Sequence, residues 1–167
     1  MNFTIQKLTL SEEPELLNFI NSQSKNDLNL FTRWNKLNKS TKTMAHSECI
    51  IPSINGERII AKTSSGKIVG FGLVDYFEEA KKNHVSVVGT IVDKEFRKFG
   101  LGKKLLKNEI EISRKSKKNK IRATIHEHNV DSVKLHQSLG FKIEGKFVNE
   151  EFYDEYWTVL SLALFLD

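Results

Sequence analysis

Two glycines follow an arginine near the middle of the chain, in the order Arg97-x-x-Gly100-x-Gly102. The apolar run from Val85 to Val92 ends just before them, and the apolar residues that follow recur at helical spacing. A strand, a glycine-bearing loop and a helix N-terminus form an anion site, because the first N–H groups of a helix have no helical partner. We therefore predict a loop that binds a pyrophosphate, with a purely structural turn as the alternative.

This loop differs from the common phosphate-binding signatures. The P-loop spacing Gly-x-x-x-x-Gly-Lys-Ser/Thr is missing, and the dinucleotide fingerprint has three glycines where this loop has two. Glycines still let the backbone approach a phosphate closely, and neighbouring lysines add positive charge. The residues expected to bind the anion are Arg97, Lys98, Phe99, Gly100, Leu101, Gly102 and Lys103.

A second patterned segment begins 27 positions after Gly102. It reads Asn129-Val130-Asp131-Ser132-Val133-Lys134-Leu135-His136-Gln137-Ser138-Leu139-Gly140-Phe141. Asn129 is a favourable N-cap, and a glycine in the position of Gly140 is typical of a helix end. The segment therefore predicts a short helix between two strands.

Together the two segments resemble motifs A and B of the GNAT acetyltransferases. In that family an Arg/Gln-x-x-Gly-x-Gly/Ala loop holds the pyrophosphate of acetyl-CoA, and motif B reads Asn-x-x-Ser/Ala-x-x-Leu-Tyr-x-x-x-Gly-Phe. The motifs stand at the family's usual separation. The resemblance implies an acetyl-CoA-dependent N-acetyltransferase that moves acetyl directly to a primary amine in a ternary complex. The further cofactor-binding residues that it implies are Thr90, Ile91, Val92, Asn129, Ser132 and His136.

Catalytic roles are carried over from the resemblance residue by residue. A backbone N–H near Val92 would stabilise the developing oxyanion. Motif B has a tyrosine that protonates the coenzyme sulfur, but here Leu135 is followed by His136. We predict His136 as the general acid, and a helix residue that fills the tyrosine space is the alternative.

The general base is expected elsewhere, because Thr124 stands where some relatives have a glutamate. Deprotonation through water is then expected. The candidates for the base are Glu127, His126, His128, Tyr153 and Asp154.

An acidic stretch near the C-terminus concerns the acceptor. Residues 144–155 hold five carboxylates and one lysine. Glu144-Gly145 and Phe152-Tyr153-Asp154 resemble the branch that acts on ribosomal-protein N-termini, polyamines and small amines. A cationic amine or a protein N-terminus is the expected acceptor, and a solubilising loop is the alternative reading of the charge.

The elements that must position these residues alternate along one domain, residues 1–167. Periodicity predicts a helix capped by Ser11, and a second short helix across Leu28 to Leu37. The resemblance implies a mixed α/β (α+β) GNAT fold. Its mostly antiparallel twisted sheet has about seven strands, a splayed fourth and fifth strand, and about four flanking helices. The predicted strands are Asn2 to Leu8, Arg58 to Thr63, Lys67 to Tyr76, Val85 to Val92, Ile121 to Ile125, Phe141 to Phe147 and Tyr156 to Leu166.

The net charge of +5 allows a nucleic-acid binder, but its distribution argues otherwise. Residues 94–122 hold 12 basic and 3 acidic side chains around the proposed phosphate loop. The sequence lacks helix-turn-helix, zinc and aromatic RNA-binding signatures, so no nucleic-acid partner is expected. The remaining alternative is a CoA-binding sensor without activity, which the missing tyrosine and glutamate would suit.

A single cysteine, Cys49, excludes an intrachain disulfide and a cysteine-rich zinc site. We expect a protein of the reducing cytoplasm with no bound metal. The longest apolar run, Trp157 to Leu166, is far shorter than the roughly 20 residues of a membrane span, so no membrane partner is expected. The sequence leaves the oligomeric state open, and the family that the motifs resemble often forms dimers, so the resemblance allows a homodimer.

Overall fold

The computed structural model describes residues 2–24, 56–152 and 154–166. The α-helices in these ranges are α1 (Glu13–Ser22), α2 (Leu101–Lys115) and α3 (Val130–Gln137). Short 3-10 turns lie at Leu10–Glu12, Ala80–Lys82 and Lys94–Phe96. The strands are β1 (Phe3–Lys7), β2 (Gly56–Thr63), β3 (Ile68–Tyr76), β4 (Val85–Val92), β5 (Lys120–His126), β6 (Lys142–Phe152) and β7 (Tyr156–Phe165).

The strands form one sheet in the order β1-β2-β3-β4-β5-β7-β6. Neighbouring strands are antiparallel except β4 and β5, which are parallel. The register between β4 and β5 runs only from Val85 opposite Lys120 to Val87 opposite Arg122. Beyond Val87 the two strands diverge, which confirms the predicted seven-stranded sheet and its splayed pair.

Helices cover both faces of the sheet. Helix α1 packs Leu16, Phe19 and Ile20 against one face. On the other face, α2 contributes Leu106 and Ile110 to a core shared with β5 and β7. The described residues contain three α-helices; the further helix predicted across Leu28 to Leu37 lies outside them. None of the helices in the described ranges is long and apolar enough to cross a membrane.

The start of the first helix corrects one expectation. Ser11 was predicted as the N-cap, but a 3-10 turn begins earlier, with Thr9 as its cap. The Thr9 N–H donates to Glu12 Oε2 at 2.9 Å. A threonine followed three residues later by a glutamate forms a capping box. Thr9 therefore occupies the cap position in place of the serine between them. Pro14 occupies the first turn of α1.

Candidate functional site

A cleft of about 630 Å³ opens where β4 and β5 diverge. Its walls are β4 from Val87 to Val92 and β5 from Ala123 to Ile125, and the loop before α2 and the start of α3 complete the lining. The structure thus brings the two sequence motifs to one cavity. The predicted residues that line it are Thr90, Ile91, Val92, Arg97, Lys98, Gly100, Gly102, Lys103, Asn129, Ser132 and His136.

The sheet register decides which backbone groups of β4 face this cleft. The Asp93 N–H donates to the Val69 carbonyl oxygen at 3.0 Å, so this opposed pair is a hydrogen-bonded one. In an antiparallel ladder hydrogen-bonded and non-bonded pairs alternate. Ile91 therefore directs its N–H and C=O to β3, whereas Thr90 and Val92 direct theirs to the gap beside β5. Of the three β4 residues that were expected to bind the cofactor, two direct their backbone groups to the gap and Ile91 directs its own to the neighbouring strand.

The loop between β4 and α2 is held in a fixed shape. Arg97 Nε donates to the Val92 carbonyl oxygen at 2.9 Å, which ties the loop to the end of the strand. Gly100 caps α2 with a left-handed φ of 78°, a conformation that favours glycine. A Cβ on Gly102 would lie 3.4 Å from the Leu135 side chain, so α2 starts close to α3.

The loop also has the charge and donors of an anion site. The first N–H groups of α2 lie at the N-terminus of a 15-residue helix. The dipole of this helix favours negative charge at its N-terminus. Lys98 and Lys103 line the same cavity. Phe99 is 53% exposed and Leu101 is buried in the core, so these two side chains lie outside the lining. The arrangement fits a pyrophosphate held by backbone and lysines.

Helix α3 brings His136 into the cleft in a buried position, with 5% of its surface exposed. Its Nδ1 lies 2.8 Å from the Ser132 carbonyl oxygen, one turn earlier, and its ring packs edge-on against Phe141. Because a carbonyl only accepts, Nδ1 carries the proton, and Nε2 is the ring nitrogen that can serve a ligand. Burial lowers the pKa of His136, and the bond to Ser132 opposes this change. The imidazole is therefore neutral near pH 7.

The start of α3 is capped as predicted. Asn129 Oδ1 accepts from the Ser132 N–H at 3.3 Å. Both residues line the cleft, so the cap and the carbonyl that orients His136 belong to one turn. This turn therefore gives the imidazole a fixed support.

The described candidates for a general base lie outside the cleft lining. Glu127 is exposed and forms an ion pair with Lys146, at 2.6 Å between Oε1 and Nζ. His126 is fully buried and lies 2.8 Å from Glu151 Oε2. His128 stacks on His126, and burial followed by the neighbouring His126 lowers the pKa of His128. Asp154 is exposed. Tyr153 is outside the described residues.

Some carboxylates of the acidic stretch have partners within the chain. Glu144 bonds Lys120 and Ser161, and the hydrogen bond from Lys120 lowers the pKa of Glu144. Glu151 bonds His126. Glu150, Asp154 and Glu155 are exposed. Part of the acidic charge predicted for the acceptor side is therefore engaged in pairs within the chain.

One buried polar pair was missed by sequence reasoning. Glu109 lies on α2 with none of its surface exposed, and Thr90 Oγ1 donates to its Oε1 at 2.8 Å. Burial raises the pKa of Glu109 well above its ordinary range, while the bond from Thr90 opposes this. The sequence contained one indication of this burial. Glu109 falls four residues after Leu105, which places it on the apolar stripe of the helix. Lining residues that were not predicted are Val87, Val88, Gly89, Ala123, Thr124, Ile125, Asp131, Lys134 and Leu135.

Comparison with known proteins agrees with this geometry. The family model described as "Acetyltransferase (GNAT) family" matches residues 27–141, which is more than half of the chain. The chain belongs to the GNAT family. Members of this family use acetyl-CoA as cosubstrate.

Two curated acetyltransferases match part of the chain. A probable spermine N(1)-acetyltransferase from Bacillus subtilis subsp. natto (strain BEST195) is 33% identical over 86 residues, covering 48% of this chain and 57% of that protein. The L-amino acid N-acetyltransferase AaaT from Escherichia coli (strain K12) is 28% identical over 98 residues, covering 55% and 60% respectively. The chain thus spans less than two thirds of these relatives' length.

Solved GNAT structures match over almost the whole chain. A ribosomal-protein-alanine N-acetyltransferase from Brucella melitensis has a TM-score of 0.82 at 23% identity, covering 98% of this chain and 99% of that one. A phosphinothricin acetyltransferase from Sinorhizobium meliloti, solved with AcCoA, has a TM-score of 0.84 at 18% identity, covering 99% and 89%. At these identities the likeness concerns the fold, and it confirms the GNAT fold predicted from the two motifs.

Proposed function

We propose that this protein is an N-acetyltransferase that transfers acetyl from acetyl-CoA directly to a primary amine in a ternary complex. The observation that carries the proposal is the meeting of three features in one cleft. These are the anion-binding loop at Gly100, the gap-facing backbone of β4, and the buried imidazole of His136. Each supplies a different requirement of acyl transfer, namely binding, charge stabilisation and proton transfer.

The loop and β4 would hold the cosubstrate. Backbone N–H groups from Lys98 to Lys103 receive the pyrophosphate at the start of α2. The N–H groups of Thr90 and Val92 face the gap, whereas the register directs the N–H of Ile91 to β3. They suit the amide groups of an extended pantetheine arm. The Val92 N–H is the donor that we assign to the oxyanion, and Thr90 continues the same row.

His136 would move the proton. Its neutral Nε2 accepts a proton from the amine nitrogen as that nitrogen bonds to the acetyl carbon. When the carbon–sulfur bond breaks, the departing thiolate takes this proton from Nε2, and the imidazole is neutral again. The general-acid role predicted for His136 is thus the second half of one proton transfer. Glu127 has no part in this scheme, because its carboxylate is paired with Lys146 away from the cleft.

The acceptor that we propose is a small cationic amine or a protein N-terminus. Two relatives are named for spermine and for L-amino acids, and a structural neighbour is named for ribosomal-protein alanine. The exposed carboxylates of Glu150, Asp154 and Glu155 would favour a cationic acceptor. The single cysteine supports a place in the reducing cytoplasm.

We also propose a homodimer formed through β6. This strand ends the sheet and exposes Phe147, Val148 and Phe152. A long edge strand with exposed apolar side chains is a template for pairing, and a second copy related by a two-fold axis would pair β6 with itself. Light scattering should then give twice the chain mass of 19.2 kDa, and the mass of a single chain at micromolar concentration would contradict the dimer.

An acceptor screen tests the proposed activity. The full chain is incubated with acetyl-CoA and, separately, with polyamines, amino acids, aminoglycosides and N-terminal peptides, and the products are read by mass spectrometry. We expect one class to gain a single acetyl group with matching release of free CoA thiol. Binding of CoA with no release in any class would instead indicate a sensor. Salt-dependent binding to DNA without binding to CoA would indicate a nucleic-acid protein.

A further inference from the structure

Helix α2 carries a carboxyl group in the face that it packs against the sheet. Glu109 is fully buried, and its neighbours on the same stripe are Leu105, Leu106 and Ile110. An ionised carboxylate in such surroundings is strongly disfavoured unless it is paired. Gly72 of β3 and Thr90 of β4 lie against this carboxyl, and neither residue titrates. Burial accordingly raises the pKa of Glu109 well above its ordinary range, which favours the neutral carboxyl.

The carboxyl contacts the wall of the cleft from behind. Thr90 Oγ1 lies 2.8 Å from Glu109 Oε1 and 3.0 Å from Oε2. Thr90 itself lines the cleft, in the part of β4 that has already separated from β5. A neutral carboxyl is both donor and acceptor, so it can bond a hydroxyl in either direction. Glu109 therefore restrains a strand segment that lacks the β5 ladder on one side.

The sheet leaves room for this carboxyl at one position. A Cβ built on Gly72 would lie 2.3 Å from Glu109 Oε1, far inside contact distance, and 2.9 Å from the Ile59 side chain. Only glycine at this position of β3 admits the carboxyl to Thr90. Gly72 and Glu109 thus form a matched pair.

A second contact joins the same helix to the same strand, one helical turn away. Ser86 Oγ donates to Ser113 Oγ at 2.8 Å, and Ser113 Oγ donates to the Glu109 carbonyl oxygen at 2.9 Å. Ser86 lies where β4 is still paired with β5, whereas Thr90 lies where it is not. The serine pair therefore supports the closed part of the strand, and the Glu109 pair supports the open part.

We propose that Glu109 is a positioning residue for acetyl-CoA, which acts through Thr90 on the open segment of β4. Helix α2 begins at the anion-binding loop, so the bond fixes that loop relative to the gap-facing N–H groups of Thr90 and Val92. The anion-binding loop and the gap-facing N–H groups are the two ends of the cosubstrate's binding site, and this bond fixes their relative position. This inference rests on the proposed function, because it takes acetyl-CoA as the ligand of the cleft.

Five variants test it by calorimetric binding of CoA and by the KM for acetyl-CoA. We expect Glu109→Leu and Thr90→Val each to weaken CoA binding about tenfold, and the double variant to be no weaker than either alone. Glu109→Gln keeps both hydrogen-bonding roles and should bind within about twofold of the unaltered protein. Ser113→Ala is the matched control on the same helix, and should lower the melting temperature without changing the affinity.

The outcomes separate the inference from the proposed function. Folded Glu109→Leu protein that binds CoA as well as the unaltered chain would overturn the inference alone. Equal losses in Glu109→Leu and Ser113→Ala, or losses that multiply in the double variant, would show only a general structural effect and would also overturn it. If the unaltered protein binds no CoA, the proposed function fails and the inference fails with it.

Discussion

The Nδ1 atom of His136 lies 2.8 Å from the carbonyl oxygen of Ser132, so the proton on Nδ1 is donated to this backbone oxygen. The other ring nitrogen, Nε2, then carries a lone pair rather than a proton. Because burial lowers the pKa of His136, this state prevails at neutral pH. A histidine held in this way must accept a proton before it can donate one, which a tyrosine at the same position would not need to do.

Replacement of His136 tests its part in the chemistry. His136→Phe should reduce kcat by about 100-fold or more, because a positioned proton-transfer group contributes that much. The KM for acetyl-CoA should stay within about threefold, since the anion-binding loop is untouched. His136→Tyr restores the residue usual in motif B and should retain more activity than the phenylalanine variant. An unchanged kcat for His136→Phe at saturating acetyl-CoA would contradict the assignment.

The pH dependence of kcat should report the same group. Nε2 must be unprotonated to accept the amine proton, so kcat rises with pH through the pKa of His136. Since burial lowers that pKa, the acidic limb lies below the ordinary histidine value of about 6.5. A pH profile of His136→Tyr should lack this limb. Persistence of the limb in the tyrosine variant would assign it to another residue.

Alanine substitutions at two glycines with similar backbone conformations distinguish the effect of backbone strain from an effect on ligand binding. Gly100 has φ of 78° in the loop, and Gly66 has φ of 88° in the β2–β3 turn; an added Cβ meets no atom within 4 Å at either. Alanine at each should lower the free energy of unfolding by about 1 kcal/mol. Only Gly100→Ala should also weaken CoA binding, because its Cβ would enter the space offered to the phosphate. Denaturant titration and calorimetry measure the two effects, and equal CoA affinities would argue against a phosphate at this loop.

The pairing of Gly72 with Glu109 predicts a compensating double variant. Gly72→Ala should destabilise the protein by about 2 kcal/mol, since the new methyl group overlaps the buried carboxyl. Glu109→Ala removes that carboxyl and should recover part of the loss in the double variant. Strict additivity of the two changes in urea unfolding would mean that the alanine is not in conflict with Glu109.

Local patterns in the sequence were enough to predict the loop, the strands and the cap of α3. Asn129 bonds a backbone N–H only three residues away, and Gly100 takes the conformation that glycine favours, so both follow from neighbouring residues. Contacts between distant segments did not follow. The ion pair of Glu127 with Lys146 depends on how β6 lies against the rest of the sheet. The bond between Thr90 and Glu109 depends on how α2 packs on β4. The direction of the Val92 N–H toward the gap depends on the register between β4 and β3, which pairs Asp93 with Val69.

The most direct test of the account is intact-mass analysis of protein and amine after reaction with acetyl-CoA labelled in its acetyl group. Direct transfer predicts one labelled acetyl group on the amine for each CoA released, with no acetyl on the protein at any time. Labelled acetyl on the protein before the amine is added, or CoA release without an acetylated amine, would contradict direct transfer in the cleft between β4 and β5.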